Sequence, residues 1–263
     1  MKIEISNVKK SFGDNEVVNI DNLSIDNGEL IGLVGNNGAG KTTLFRIILD
    51  LLKANDGKVE MTTADVESPQ IINPALSEDW KTITGAYIDE GFLIEFLTPE
   101  EYFYFIGKVN NISKEEVDSK LEMFEKFMGD EILGKKKLIR SFSAGNKQKI
   151  GIISTLLHRP DLVILDEPFN FLDPTSQIML KNLLVEYNKE TNATIIVSSH
   201  NLSHTIDISS KIVLMEHGQI IKILQNNSAE ARKELEDYFN VKESVSAEDE
   251  SEKEITEQDE INQ

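Results

Sequence analysis

The chain has 263 residues, 40% of them hydrophobic, no cysteine and a formal net charge of −19. That length allows one large domain, or one domain with a subdomain, and the missing cysteines exclude disulfides and thiolate chemistry. The acidic balance argues against nucleic acid as a partner, since nonspecific binding needs a basic surface.

It does not argue against a nucleotide. Salt screens charge over roughly 8 Å, so local donors decide whether a phosphate binds. The opening residues, MKIEISNVKK, are too polar for a signal peptide. No apolar run approaches the ~20 residues of a membrane span. The expectation is a cytoplasmic protein that meets a membrane only through a partner.

Residues 1–34 alternate short β-like runs (KIEISNV, EVVNIDNLSI, LIGLV) with turn signals at Phe12-Gly13-Asp14-Asn15 and Asp26-Asn27-Gly28. A helix is predicted over about 41–53 and a strand near 57–63, while 64–82 reads as irregular. Two capping boxes follow, Thr98-Pro99-Glu100-Glu101 and Ser113-Lys114-Glu115-Glu116. Residues of about 92–160 are therefore expected to be mostly helical. Then come strand DLVILD, helix PTSQIMLKNLLVEYNKE, strand ATIIVSSH, a short helix near 201–208 and strand KIVLME. Such alternation implies an α/β fold around a parallel sheet.

A short amphipathic helix is expected over 226–240. The stretch 241–263 is acidic and nearly free of large apolar groups, the composition of a disordered tail. Residues 229–263 hold 13 acids against 4 bases, so nearly half the net charge lies there. The tail reads as a solubilising segment or as a partner site.

The sharpest motif is GNNGAGKTT, which fits G-x-x-x-x-G-K-[ST] at Gly35, Gly40, Lys41 and Thr42. A buried strand precedes it and an apolar helix follows, as a P-loop requires. The backbone from Gly35 through Asn36, Asn37, Gly38, Ala39 and Gly40 to Thr43 can curl its N–H groups around phosphate oxygens. The helix start adds about half a positive charge. Lys41 would hold β and γ oxygens and Thr42 would ligate Mg²⁺.

Downstream, LVILDEP is an uninterrupted apolar strand ending in Asp166 and Glu167. Ligands gather at the carboxyl ends of such strands. Asp166 can hold a Mg²⁺ shell while Glu167 polarises an attacking water. TIIVSSH ends in His200. A lone histidine is more often structural, but a strand end in this sheet order favours contact with the γ-phosphate. A second helix-start pattern lies in RSFSAGNKQK, residues 140–149. Read alone, it is an anion site without a ligand.

Together these residues resemble the nucleotide-binding subunit of ABC transporters over about residues 1–225. The resemblance implies a P-loop core with a parallel sheet, an N-terminal antiparallel β subdomain and an inserted α-helical subdomain. In the family, GNNGAGKTT is the Walker A loop, LVILDEP the Walker B strand, Phe171-Leu172-Asp173 the D-loop and His200 the switch histidine. Phe12 matches the aromatic that stacks on adenine; a core aromatic is the other reading. Ser143 and Gly145 match the L-S-G-G-Q signature, with Phe142, Ala144 and Asn146 substituted. Asp89 falls where the Q-loop glutamine is usual, with Glu90 beside it. Aspartate is acceptor-only and could order the water shell of Mg²⁺. Similar acids occur in some drug- and bacteriocin-export relatives.

The implied function is ATP hydrolysis that powers transport, export by preference, through a separate integral membrane permease. Two cassettes, as a homo- or heterodimer, would sandwich two ATPs. Each site would take Lys41, Thr42 and Asp166 from one chain and Ser143 and Gly145 from the other. The stretch FLIEFLTPEEYFYFIG either packs within the subdomain or docks the membrane partner. The subunit would sit on the inner face of the cell membrane. The rival is a non-transport ABC-type ATPase of translation or DNA repair, whose usual doubled cassettes or long coiled coils this chain lacks.

Overall fold

The computed structural model describes residues 1–65, 67–88, 90–226 and 233. The expected helix at 226–240 (beyond residues 226 and 233), the acidic stretch 241–263 and Asp89 lie outside the described residues.

Two sheets form the scaffold. The first pairs β1 (Lys2–Phe12), β2 (Asn15–Ile25), β4 (Asp56–Thr62) and β5 (Ile71–Ile72) in the order β2-β1-β4-β5, all antiparallel. The second contains β3 (Leu30–Val34), β6 (Thr84–Tyr87), β7 (Leu162–Leu165), β8 (Thr194–Ser199), β9 (Lys211–Glu216) and β10 (Gln219–Gln225) in the order β10-β9-β3-β8-β7-β6. Its strands are parallel except β10, which returns antiparallel along β9.

The central strands are apolar because both faces are covered. Every residue of β3, β7 and β8 is buried. Alternate side chains of a strand point to opposite faces. Leu162, Ile164 and Ile196 accordingly enter one core with Phe45 and Ile48 of α1 (Lys41–Ile48). Val163, Leu165, Ile195 and Val197 enter the other. That second core is closed by α5 (Ala144–Leu156) and α6 (Pro174–Thr191), with α2 (Pro99–Val109), α3 (Lys114–Glu122) and α4 (Glu125–Met128) around it.

Both expected capping boxes form. Thr98 and Ser113 accept from the amides of Glu101 and Glu116, whose carboxylates accept from the cap amides in return. The helix predicted over 41–53 is shorter than its apolar run suggests. After Leu49, Asp50 turns left-handed (φ 48°). The Asp50 amide bonds Ile47 O and the Leu51 amide bonds Arg46 O, a Schellman stop that needs no glycine.

Three strands were not anticipated: β5, a two-residue pairing inside the stretch 64–82 that reads as irregular, β6 and β10. β6 is four residues long and carries Gly85, where a Cβ would lie 2.4 Å from Thr155 O; close packing on α5, not propensity, makes it a strand. β10 follows a two-residue turn at His217 and Gly218, both with positive φ. The short helix near 201–208 is α7 (Leu202–Thr205).

His158 follows α5 with both ring nitrogens shut off from water. Burial holds its pKa below the ordinary value, opposed by the nearby Thr84 backbone. Below about pH 6.5 the unfolded chain takes up a proton that the folded one refuses, so stability falls as pH drops. Thermal unfolding between pH 7.5 and 5.5 should show this loss, and His158→Gln should flatten it.

Candidate active site

The phosphate-loop residues sit where β3 gives way to α1. Gly40, the residue before the helix, is left-handed (φ 101°), provides no side-chain cap, and no acid occupies the first turn. By contrast, α2, α3, α5 and α6 each have an oxygen-bearing side chain capping their first amides. Among the described residues, α1 is thus the one helix of eight residues or more whose first donors no cap side chain occupies. Gly38 (φ 82°) has nothing within 4 Å of where a Cβ would be. At Gly35 a Cβ would meet Met215 O at 2.2 Å, so the missing side chain lets the loop seat on β9. Asn36 and Asn37 are exposed, Ala39 is buried, and Thr43 is half-buried.

Lys41 is only 6% exposed. Its Nζ donates to Gly35 O at 2.5 Å and Asn36 O at 3.3 Å, and pairs with Glu167 Oε1 at 3.3 Å. Glu167 Oε1 is buried and accepts no hydrogen bond, so this contact is an ion pair without hydrogen-bond geometry. The Thr42 hydroxyl donates to Asp166 Oδ2.

Asp166 and Glu167 leave the carboxyl end of β7. Burial pushes the Asp166 pKa up, opposed by the hydroxyls of Ser198 and Thr42. Glu167 adopts a left-handed backbone, φ 46°, a conformation that costs about 1 kcal/mol or more for a non-glycine residue. It turns the second carboxylate toward β8, where His200 Nδ1 lies 2.9 Å from Glu167 Oε2.

Five of the expected residues, Lys41, Thr42, Asp166, Glu167 and His200, therefore form one connected cluster. Others stand apart. Ser143 caps α5, accepting from the Asn146 amide at 3.3 Å. A Cβ on Gly145 would lie 2.7 Å from Phe171 O. Asn146 turns its amide group to Glu131 Oε2 at 3.1 Å. Asp173 caps α6 through Thr175 and Ser176. Phe12 is 53% exposed, with Lys10 Nζ 5.1 Å from its ring centre; the core-aromatic reading of Phe12 is therefore wrong.

Sequence reasoning missed two residues. Ser198, fully buried, donates to Asp166 Oδ1 at 2.5 Å and accepts from the Glu167 amide at 2.8 Å. Gln148, also buried, donates to Glu167 O at 3.3 Å. A hydroxyl inside an otherwise apolar strand was the available signal for Ser198; nothing local marks Gln148.

The donor set fits a magnesium nucleotide. Thr42 and Asp166 bring a hydroxyl and a carboxylate oxygen together, the hard donors a small divalent cation takes. The uncapped amides of α1 beside Lys41 suit phosphate.

Known proteins resemble this chain in sequence and in fold. A family model described as ABC transporter matches residues 18–170. The bacitracin transport ATP-binding protein BcrA of Enterococcus faecalis is 33% identical over 221 residues, 84% of this chain and 68% of that protein. The tungstate uptake system ATP-binding protein TupC of Peptoclostridium acidaminophilum is 30% identical over 220 residues, 84% of this chain and 97% of that protein. In fold, the chain matches the dimeric structure of the bacterial ABC transporter cassette MJ0796 with a TM-score of 0.73 at 22% identity, covering 86% of this chain and 99% of that one. Family model, identity and site together establish that this chain belongs to the ABC transporter family, as an ATP-binding subunit with ATPase activity.

Proposed function

We propose that the chain hydrolyses ATP as one half of a cassette dimer, and that the cycle drives a separate membrane permease. The observation that carries this reading is the single cluster of Lys41, Thr42, Asp166, Glu167 and His200. Bound magnesium would supply charge neutralisation at the β- and γ-phosphate oxygens, held by Thr42 and Asp166, with Asp89 ordering its water shell. Lys41 would trade its contacts with Gly35 and Asn36 carbonyls for phosphate oxygens. Glu167, freed from Lys41 by that exchange, accepts the proton of the attacking water. His200 orients the Glu167 carboxylate from the far side and meets the γ-phosphate. Phosphoryl transfer needs mainly such positioning and charge.

Phe12 offers an exposed ring for adenine. Ser143 and Gly145, remote from Lys41 in their own chain's bonding, suit a nucleotide held by a second copy or a related cassette. No helix among the described residues is long and apolar enough to cross a membrane; in this reading the permease is a separate chain. Phe92, Phe96 and Phe105, each more than two-fifths exposed on or near α2, provide an apolar contact for it, on the inner face of the membrane. Within this reading we take export as the direction, resting on Asp89 in place of the usual glutamine, with Glu90 beside it. Relatives carry names for both bacitracin transport and tungstate uptake, so accumulation against efflux in vesicles that contain the permease is the deciding assay.

Glu167→Gln should keep ATP affinity within about twofold, lower turnover by about a hundredfold or more, and trap a dimer seen by size-exclusion chromatography with ATP. A persistent monomer with wild-type turnover would sink both the base assignment and the paired site. Gly145→Ala forces the α5 start against the Phe171 carbonyl. It should leave nucleotide binding to the monomer intact while cutting ATP-dependent dimerisation of the Glu167→Gln protein about tenfold, read by sedimentation velocity.

A further inference from the structure

The two acids of the site project from β7, whereas the phosphate loop follows β3. Between those strands runs β8. Ser198 lies near the end of β8, registered beside Leu33 of β3. Its hydroxyl hydrogen-bonds both acidic residues: it donates to Asp166 Oδ1 at 2.5 Å and accepts from the Glu167 amide at 2.8 Å. A hydroxyl can do both at once, because it has one proton and two lone pairs.

Each bond has a separate consequence. Donation to Asp166 Oδ1 occupies one carboxylate oxygen and leaves Oδ2 directed at Thr42. Acceptance from the Glu167 amide satisfies a donor at the residue where the backbone is left-handed. That turn aims the Glu167 side chain at Lys41 and His200. On its other side the Glu167 carbonyl accepts from Gln148. The Glu167 residue is thus pinned at both its N–H and its C=O.

Ser198 is fully buried, among the apolar side chains of β8 and its neighbours. Nothing about packing asks for a hydroxyl there. Valine or alanine would suit a fully covered strand better, since burying a hydroxyl is unfavourable unless it is bonded.

We propose that Ser198 is a positioning residue that sets the acid pair of this cassette: it orients Asp166 toward Thr42 and holds Glu167 in its left-handed turn. The inference rests on the assignment of Asp166 and Glu167 above. It predicts two separable losses when the hydroxyl goes. Magnesium-dependent nucleotide binding weakens through Asp166, and turnover falls through Glu167.

The test compares Ser198→Thr with Ser198→Val in the full chain. The two side chains have nearly the same volume, so any crowding is common to both and only the hydroxyl differs. Thermal midpoints report folding of each variant. Affinity for a fluorescent ATP analogue is measured with magnesium and with chelator, and kcat and KM for ATP are measured beside Glu167→Gln.

With the hydroxyl kept, the Thr variant should stay within about twofold of wild type. The Val variant should lose about fivefold of the affinity gain that magnesium gives and about tenfold in kcat, the scale of a lost bond to a charged or strained group. Its affinity in chelator should be unchanged. Equal magnesium dependence and equal kcat in Thr and Val variants would overturn the role of Ser198. If Val is too unstable to measure, Ser198→Ala against Ser198→Thr gives the same comparison. Should Glu167→Gln itself retain turnover, the underlying site assignment fails instead, and the two failures are told apart.

Discussion

The contact between the Thr42 hydroxyl and the Asp166 carboxylate spans 124 positions of sequence, and the site depends on it. It ties the first turn of α1 to the end of β7, two strand positions away across β8. Neighbouring strands lie about 4.8 Å apart, so a loop after β3 cannot reach an acid after β7 unless both lean over the end of the strand between them. The parallel sheet permits this because all its central strands end on the same edge. Every residue of the cluster leaves from that edge: Lys41 and Thr42 after β3, Asp166 and Glu167 after β7, Ser198 and His200 on and just past β8.

What keeps the edge in place is the burial of the strands behind it. β7 and β8 alternate their side chains between two cores, β3 places Ile31 and Leu33 in one of them and Leu30 and Val34 outside it, and sliding any strand by one residue would exchange its faces. Register is therefore strongly specified where both faces are filled. The charged groups sit at the rim of this apolar frame, where burial raises the Asp166 pKa and strengthens its need for hydrogen-bond or cationic partners. The strained backbone of Glu167 is tolerated in the same place, because Ser198 and Gln148 hold both ends of its peptide links.

The signature segment follows different physics. Asn146, which stands at the last position of the signature, spends its side chain on Glu131 of the same chain, and Ser143 spends its oxygen on capping α5. Gly145 is small because the Phe171 carbonyl lies against it. The requirement for small residues there is met within one chain before any second chain is considered, and the segment that follows Glu167 passes directly against the start of α5. The acid pair and the signature thus share a packed contact.

Much of this was readable in one dimension. Gly40, Lys41 and Thr42 have fixed spacing because a phosphate loop is a local structure: a few consecutive amides and the residue that starts a helix. The apolar runs ending in Asp166 and His200 announced buried parallel strands, and the two capping boxes are local hydrogen-bond patterns that reappear atom for atom. Local rules failed where distant backbone decides. β6 exists because Gly85 lets α5 approach, whereas the end of α1 is a local Schellman stop that the apolar run through Leu51 and Leu52 conceals. Ser198 and Gln148 lie inside stretches the sequence singles out, TIIVSSH and RSFSAGNKQK, but their contacts with the acids come only from packing. The sequence by itself determined which chemistry is present, because phosphate cradles and capped helices are built from near neighbours. Tertiary structure decided which groups hold the acids in place, because that depends on which strand lies between two others.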